Sequence, residues 1–180
     1  MKPLPHVTAA LVTLNLVAFA LELADGVEPT CEAWGLTPAH FTVIGLLGSP
    51  FLHASWWHLA GNMVLLGIFG TAVERRLGSS NFSTLYFVSG IGAGSMHWMV
   101  NPSATDTLVG ASGSIFGVLA AAAMLFPRLV GFVCTYAAIE IGCLLLGASG
   151  TVSAACHVGG FSTGFAVMLV FRQKHIKATV

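Results

Sequence analysis

Charge is what this sequence has least of. Of its 180 residues only 8% are Asp, Glu, Lys or Arg, against 56% hydrophobic. A water-soluble domain averages about 25% charged residues, so this composition excludes a surface that faces water all round. Seven basic and seven acidic residues leave a formal net charge of +0, which offers nothing to a nucleic acid. Chemical spacings are missing as well. The cysteines Cys31, Cys134, Cys143 and Cys156 form no CxxC pair or other metal-like spacing. Three of them lie in apolar segments, where cysteine acts as a small hydrophobe. There is no HExxH, the motif that sets two zinc ligands and a base on one helix face, and no GxGD. The soluble nucleophile elbow G-x-S-x-G also fails, because Ser114 stands where its last glycine belongs.

What is present is apolar length. Six segments, 7–23, 56–73, 82–100, 112–126, 130–146 and 152–171, approach or reach the ~20 residues that cross a bilayer as helix. The fold expected is an all-α membrane protein, a six-helix transmembrane bundle forming a single domain over residues 1–180. The long connection 24–55 between the first two segments holds Pro29, Pro38, Pro50 and several glycines, so it reads as an irregular, partly structured outer loop. Ala18-Phe19-Ala20 resembles a signal-peptidase site, but the apolar run continues to Leu23 behind a weakly basic leader, which favours a retained helix. Threading six spans with the N-terminus inside puts Lys2, Arg75, Arg76, Arg128, Arg172, Lys174 and Lys177 on the cytoplasmic side. Those are all the basic residues of the chain. Asp25, Glu28, Glu32 and Asp106 then fall outside.

The informative residues are the polar ones inside apolar segments. His58 and Asn62 are four apart, hence on one face of the second helix. Ser112 opens the fourth segment, and His157 lies about two turns into the sixth. In the threaded topology all four reach similar shallow depth from the outer side. The fourth segment, 112–126, is about 22 Å long as helix, shorter than the ~30 Å hydrocarbon core. Its N-terminus therefore sits below the surface, and the irregular stretch 101–110 above it must line a cavity or be buried in protein.

These residues suggest a reaction. A serine hydroxyl becomes a nucleophile when a neutral imidazole takes its proton. The oxyanion formed on a carbonyl needs donors fixed in advance, and the helix N-terminus at Ser112 with His58 and Asn62 offers them. No aspartate is suitably placed, so a Ser112–His157 dyad is expected. Gly113 and Gly117 on the fourth segment and Gly160 and Gly164 on the sixth are small-xxx-small pairs that let the two helices approach closely. Phe116, one turn after Ser112, is placed to lie against the imidazole. Singly, a membrane serine or histidine is usually a packing residue; four polar groups at one depth from three helices are harder to dismiss. His53 is expected to brace the loop, His97 to be interfacial, and Glu140, mid-span in the fifth segment, to be a hydrogen-bonded packing residue.

The tetrapeptide GASG occurs twice, at 110–113 and 147–150. Ser149 lies eight residues before His157, a separation of ~12 Å if helical, and has no helix N-terminus behind it. The second copy is expected to be a tight outer turn.

The stretches "SPFLHASWWHLAGNMVLLGIFGTAVERRLGS", "TLVGASGSIFGVLAAAAMLFPR" and "AACHVGGFSTG" together resemble the rhomboid intramembrane serine proteases. The family's HxxxN, GxSG and HxxGxxxG are matched by His58/Asn62, Gly110–Gly113 and His157/Gly160/Gly164. The resemblance implies a Ser112 nucleophile, a His157 base, and oxyanion stabilisation by His58, Asn62 and the Ser112 backbone N–H. It also implies cleavage of single-pass or polytopic membrane proteins near the outer face of the bilayer, by a monomer with no metal or organic cofactor. With the basic residues it implies a multi-pass protein of the bacterial cytoplasmic membrane, both termini in the cytoplasm. There are two departures. "HFTVIGLLGSPFLH" stands where many relatives carry a Trp-Arg pair, and Phe116 where some carry tyrosine. The alternative from another class is a catalytically inactive rhomboid-like protein that binds membrane clients.

Overall fold

A computed structural model describes residues 5–145 and 154–178. Among these, helix dominates because the apolar segments must satisfy their own backbone hydrogen bonds. We name the helices α1 (His6–Asp25), α2 (Val27–Trp34), α3 (Val43–Gly48), α4 (Trp56–Leu77), α5 (Ser79–Val100), α6 (Ser112–Leu125), α7 (Val130–Leu145) and α8 (Ala154–Ala178). The six apolar segments correspond to α1, α4, α5, α6, α7 and α8. Three stretches, His6–Asp25, Trp56–Leu77 and Ala154–Gln173, are long and apolar enough to cross a membrane, while Ser112–Leu125 is apolar but shorter.

The bundle is apolar inside and out. Leu21, Val64, Ile68, Ile91 and Val170 are exposed, whereas Asn15, Glu22, Ser89 and Ser114 are buried. Exposed apolar surface on this scale marks contact with something other than water. The central helix is α6, in which every residue from Gly113 through Ala122 is buried. That explains its lack of a polar face, since a helix apolar all round is a surrounded one. Its neighbours α5 and α8 come close because of glycine. A Cβ on Gly160 would fall on the Gly113 carbonyl oxygen, and one on Gly164 would meet the Gly117 backbone.

The connection 24–55 is more ordered than its prolines suggest, since it carries α2, α3 and two 3-10 turns. Thr42 caps α3 by accepting the Gly45 N–H at 2.9 Å, a normal N-cap arrangement. The stretch 101–110 is non-helical, and its backbone groups are paired with that connection. Leu36 and Leu108 exchange N–H···O bonds of 3.0 and 2.9 Å, Ala39 N–H reaches the Ala104 carbonyl at 2.9 Å, and Gly110 N–H reaches the Ser49 carbonyl at 2.8 Å. Four backbone hydrogen bonds thus tie this exposed to half-buried stretch to the connection.

At the opposite end of the bundle, Glu74 near the end of α4 binds the start of α1. Its carboxyl accepts the Val7 and Thr8 backbone N–H groups at 3.0 and 2.7 Å, the Thr8 hydroxyl at 2.7 Å and the Ser79 hydroxyl at 2.8 Å. Pro5, the N-cap residue of α1, offers no side-chain cap. A distant carboxylate supplies it instead, with a favourable charge for a helix N-terminus.

Candidate active site

Ser112 is the first residue of α6, and Gly110 before it has φ +119°, a conformation that favours glycine. A Cβ there would also stand 2.6 Å from both Cε1 and Nε2 of His58 and 3.6 Å from Nδ2 of Asn62. The backbone that leads into Ser112 therefore runs directly against the His58 and Asn62 side chains. His58 is set in the first turn of α4, where Ser55 caps the helix by accepting the His58 N–H at 3.2 Å. Asn62 follows one turn later, as their spacing requires; it is buried, and its Nδ2 has no hydrogen-bond partner among the described residues.

From the other side, α8 brings in His157. Its Nε2 is 2.9 Å from Ser112 Oγ, within the range of a nucleophile–base hydrogen bond. His157 is 3% exposed. Its ring stacks on Phe116, with centroids 4.1 Å apart and planes at 10°, as the spacing from Ser112 suggests. Behind Phe116 lies Tyr136 of α7, stacked at 5.1 Å. Tyr136 was not singled out by sequence reasoning. The available signal was Phe132 and Tyr136 four apart, both turned toward rings of neighbouring helices: Phe132 stacks on Phe69 at 6.1 Å. The glycines put the dyad within reach, since a Cβ on Gly113 would stand 2.5 Å from Ala93 Cβ and 2.8 Å from Cys156 Sγ.

Four sequence-predicted polar residues, Ser112, His157, His58 and Asn62, are therefore brought to one place, with Gly110, Gly113, Phe116, Gly160 and Gly164 in supporting contact. His53 does more than brace the loop. It is fully buried, and its ring meets the His58 ring at 5.0 Å and 65°. Burial, with His58 beside it, pushes the His53 imidazole down to about 3, so it is neutral at ordinary pH. The structure corrects His97, which is buried near the end of α5, with Asp106 of the 101–110 stretch close by, rather than facing lipid. Cys31, on α2, is also buried, and burial reinforced by the Glu22 carboxyl pushes its thiol up to about 11. The side chain of Glu140 and the second GASG at 147–150 lie outside what is described.

A cleft of about 500 Å³ opens between α2 and the 101–110 stretch, lined by Glu28, Cys31, Glu32, Ala54, Asp106 and Val109 among others. It ends one residue short of His53 on one wall and of Gly110 on the other, and includes neither Ser112 nor His157.

A partly buried serine–imidazole pair at a helix N-terminus in a helical membrane protein points to a class, and comparison with known proteins gives the family. Residues 40–174 match the Rhomboid domain. The chain is 36% identical over 176 residues to Rhomboid protein 1, mitochondrial, of Saccharomyces cerevisiae, covering 86% of this chain and 50% of that protein. It is 33% identical over 124 residues to Rhomboid protease GluP of Bacillus subtilis, covering 65% of this chain and 24% of that one. Rhomboid protease AarA of Providencia stuartii is 28% identical over 148 residues, with coverages of 68% and 52%. The chain belongs to the rhomboid family of membrane proteins. It spans about half the length of the yeast relative and of AarA, and less of GluP.

Proposed function

We propose that this protein is an intramembrane serine endopeptidase that cleaves transmembrane proteins near the outer face of the bilayer. The observation that carries the reading is the 2.9 Å contact between His157 Nε2 and Ser112 Oγ, at a helix N-terminus flanked by His58 and Asn62. In this reading His157 removes the Ser112 hydroxyl proton as Oγ bonds to the scissile carbonyl carbon. The carbonyl oxygen becomes an oxyanion held by the His58 imidazole, the Asn62 amide and the Ser112 backbone N–H. The imidazolium then gives its proton to the leaving amine, which breaks the C–N bond and leaves an acyl-serine. Water, deprotonated by His157, releases the acid and restores Ser112. Phe116 keeps the imidazole plane fixed between these transfers. Asn62 Nδ2, buried without a partner, is a donor held ready for such an oxygen.

The remaining features follow the same reading. Residues 1–180 act as one unit and as a monomer, and the membrane is the bacterial cytoplasmic one. Arg75, Arg76, Arg128 and Arg172 sit at the end of the bundle opposite Ser112, which supports cytoplasmic termini and an outward-facing site. Six spans require α5, α6 and α7 to cross as well. The test is incubation of the purified protein with a panel of transmembrane substrates in detergent. A specific cleavage product should form, and it should vanish in Ser112→Ala and His157→Ala. A panel bound but left uncut by the wild type would favour the client-binding alternative.

A further inference from the structure

Behind the oxyanion side of the site stands an acid that the proposed reaction does not use. Glu22 lies in the last turns of α1 and is fully buried. Its Oε2 accepts the backbone N–H of His53 at 3.0 Å and lies 3.8 Å from the Cys31 thiol. Its Oε1 has no partner among the described residues. A carboxyl placed in apolar surroundings is costly unless its bonds return something, and hydrophobic packing of α1 would not need one. One turn earlier on the same helix, Phe19 sets its ring against Trp56, with centroids 4.8 Å apart at 76°. The end of α1 thus holds the start of α4 at two points, through Trp56 and through the backbone of residue 53. That second hold fixes where the turn before α4 puts the His53 ring. His53 lies against the His58 ring at 5.0 Å, and the Cε1–Nε2 edge of the His58 ring meets the backbone of Gly110.

We propose that Glu22 is a positioning residue of the oxyanion site: acting through the His53 backbone and ring, it keeps the His58 imidazole against Gly110, within reach of a carbonyl oxygen bound at Ser112. The proposal rests on the reading of His58 as an oxyanion donor. It does not extend to the dyad, because Ser112 and His157 are brought together by the glycine faces of α6 and α8, which Glu22 does not touch.

The experiment compares Glu22→Ala and Glu22→Gln in the full chain, purified in detergent, alone and combined with His58→Ala. A misplacement of ~1 Å at a catalytic group can cost about 10²-fold. Glu22→Ala should therefore lower kcat at least about tenfold, with KM changed less than about twofold. Glutamine keeps an oxygen that accepts the His53 N–H, so Glu22→Gln should stay within about threefold of the wild type. In the His58→Ala background, Glu22→Ala should add less than about twofold, since the group it positions is gone. In protein carrying labelled histidine, the His58 ring resonances should shift in Glu22→Ala and not in Glu22→Gln, while those of His157 stay in place. The proposal is overturned if Glu22→Ala costs the same factor with and without His58, or if Gln and Ala lose activity equally and in step with thermal stability. If His58→Ala alone turns over like the wild type, it is the donor role of His58 that fails. The resonances then judge the positioning separately, and an unmoved His58 ring in Glu22→Ala would overturn it.

Discussion

Two carboxyls are buried at opposite ends of this bundle, and they are treated very differently. Glu74 is 1% exposed and accepts four hydrogen bonds, three of them from the first turn of α1. Glu22 is 0% exposed, and among the described residues one of its oxygens has no partner, nor does the Asn62 amide nitrogen at the same end. Unpaired buried polar atoms occur mid-bundle too, at Asn15, Ser89 and Ser114. At the Ser112 end the free amide nitrogen of Asn62 lies beside the backbone turn at Gly110. A saturated carboxyl closes a structural joint, whereas donors left free in a buried place are a cost that an incoming oxygen could offset. In the proposed reading the Glu74 end secures the fold and the Ser112 end keeps capacity for a ligand.

The sharpest way to break the comparison is to remove the chemistry while leaving the fold. Ser112→Ala and His157→Ala should each lower turnover by about 10⁴-fold or more and abolish labelling by a fluorophosphonate, with thermal stability near that of the wild type. A probe that still labels Ser112→Ala would end the nucleophile assignment.

A second route is to block the close approach of α6 and α8. Gly160→Ala places a methyl group on the Gly113 carbonyl oxygen, so α8 must back away from α6. Overpacking of this kind costs about 1–3 kcal/mol, and a shift of ~1 Å at His157 would reduce turnover about 10²-fold. Turnover and melting in detergent should fall together, and an unchanged protein would show that the close approach is dispensable.

Alanine at His58 or at Asn62 should reduce kcat by about 10²–10³-fold with little change in KM, the usual loss for one oxyanion donor. A loss confined to KM would assign these residues to substrate binding instead. The counterpart at the other end is Glu74→Ala. It strands the Val7 and Thr8 N–H groups and should destabilise the fold by about 3 kcal/mol, seen as a lower denaturation midpoint, while kcat per folded molecule is kept. If kcat collapsed in protein that is still folded, the division of labour between the two ends would be wrong.

The smallest expected effect is on pH. The His53 imidazole is pushed down from the ordinary 6.5 to about 3, so between those values the unfolded chain binds a proton that the folded chain does not. Stability from this group is complete above pH 6.5 and declines as pH falls toward 3, by about 1 kcal/mol at pH 5.5. Stability measured from pH 7 to 5 should slope less in His53→Gln. Equal slopes would mean that His53 is not held neutral.

Much of this was legible in the sequence, because bilayer physics acts on the chain locally. A membrane helix has to satisfy its backbone within itself, so the six apolar segments correspond to helices, whose ends differ from the segment bounds by up to seven residues. Polar residues are costly there, so His58, Asn62, Ser112 and His157 stood out, and the four-residue spacing of Gly113/Gly117 and Gly160/Gly164 indicated which faces would meet. Tertiary structure decided what depends on residues distant in the chain. Nothing in the local sequence says that Glu74 caps a helix 66 residues away, that Glu22 reaches the backbone of His53, or that Tyr136 stacks behind Phe116. His97 looked interfacial because its position along α5 is visible in the sequence and the neighbours that cover it are not. The 101–110 stretch reads as irregular from composition, but its pairing with Leu36, Ala39 and Ser49 exists only once the chain has folded. Periodicity reports which side of a helix avoids lipid; which buried group then meets which is settled only by packing all the helices at once.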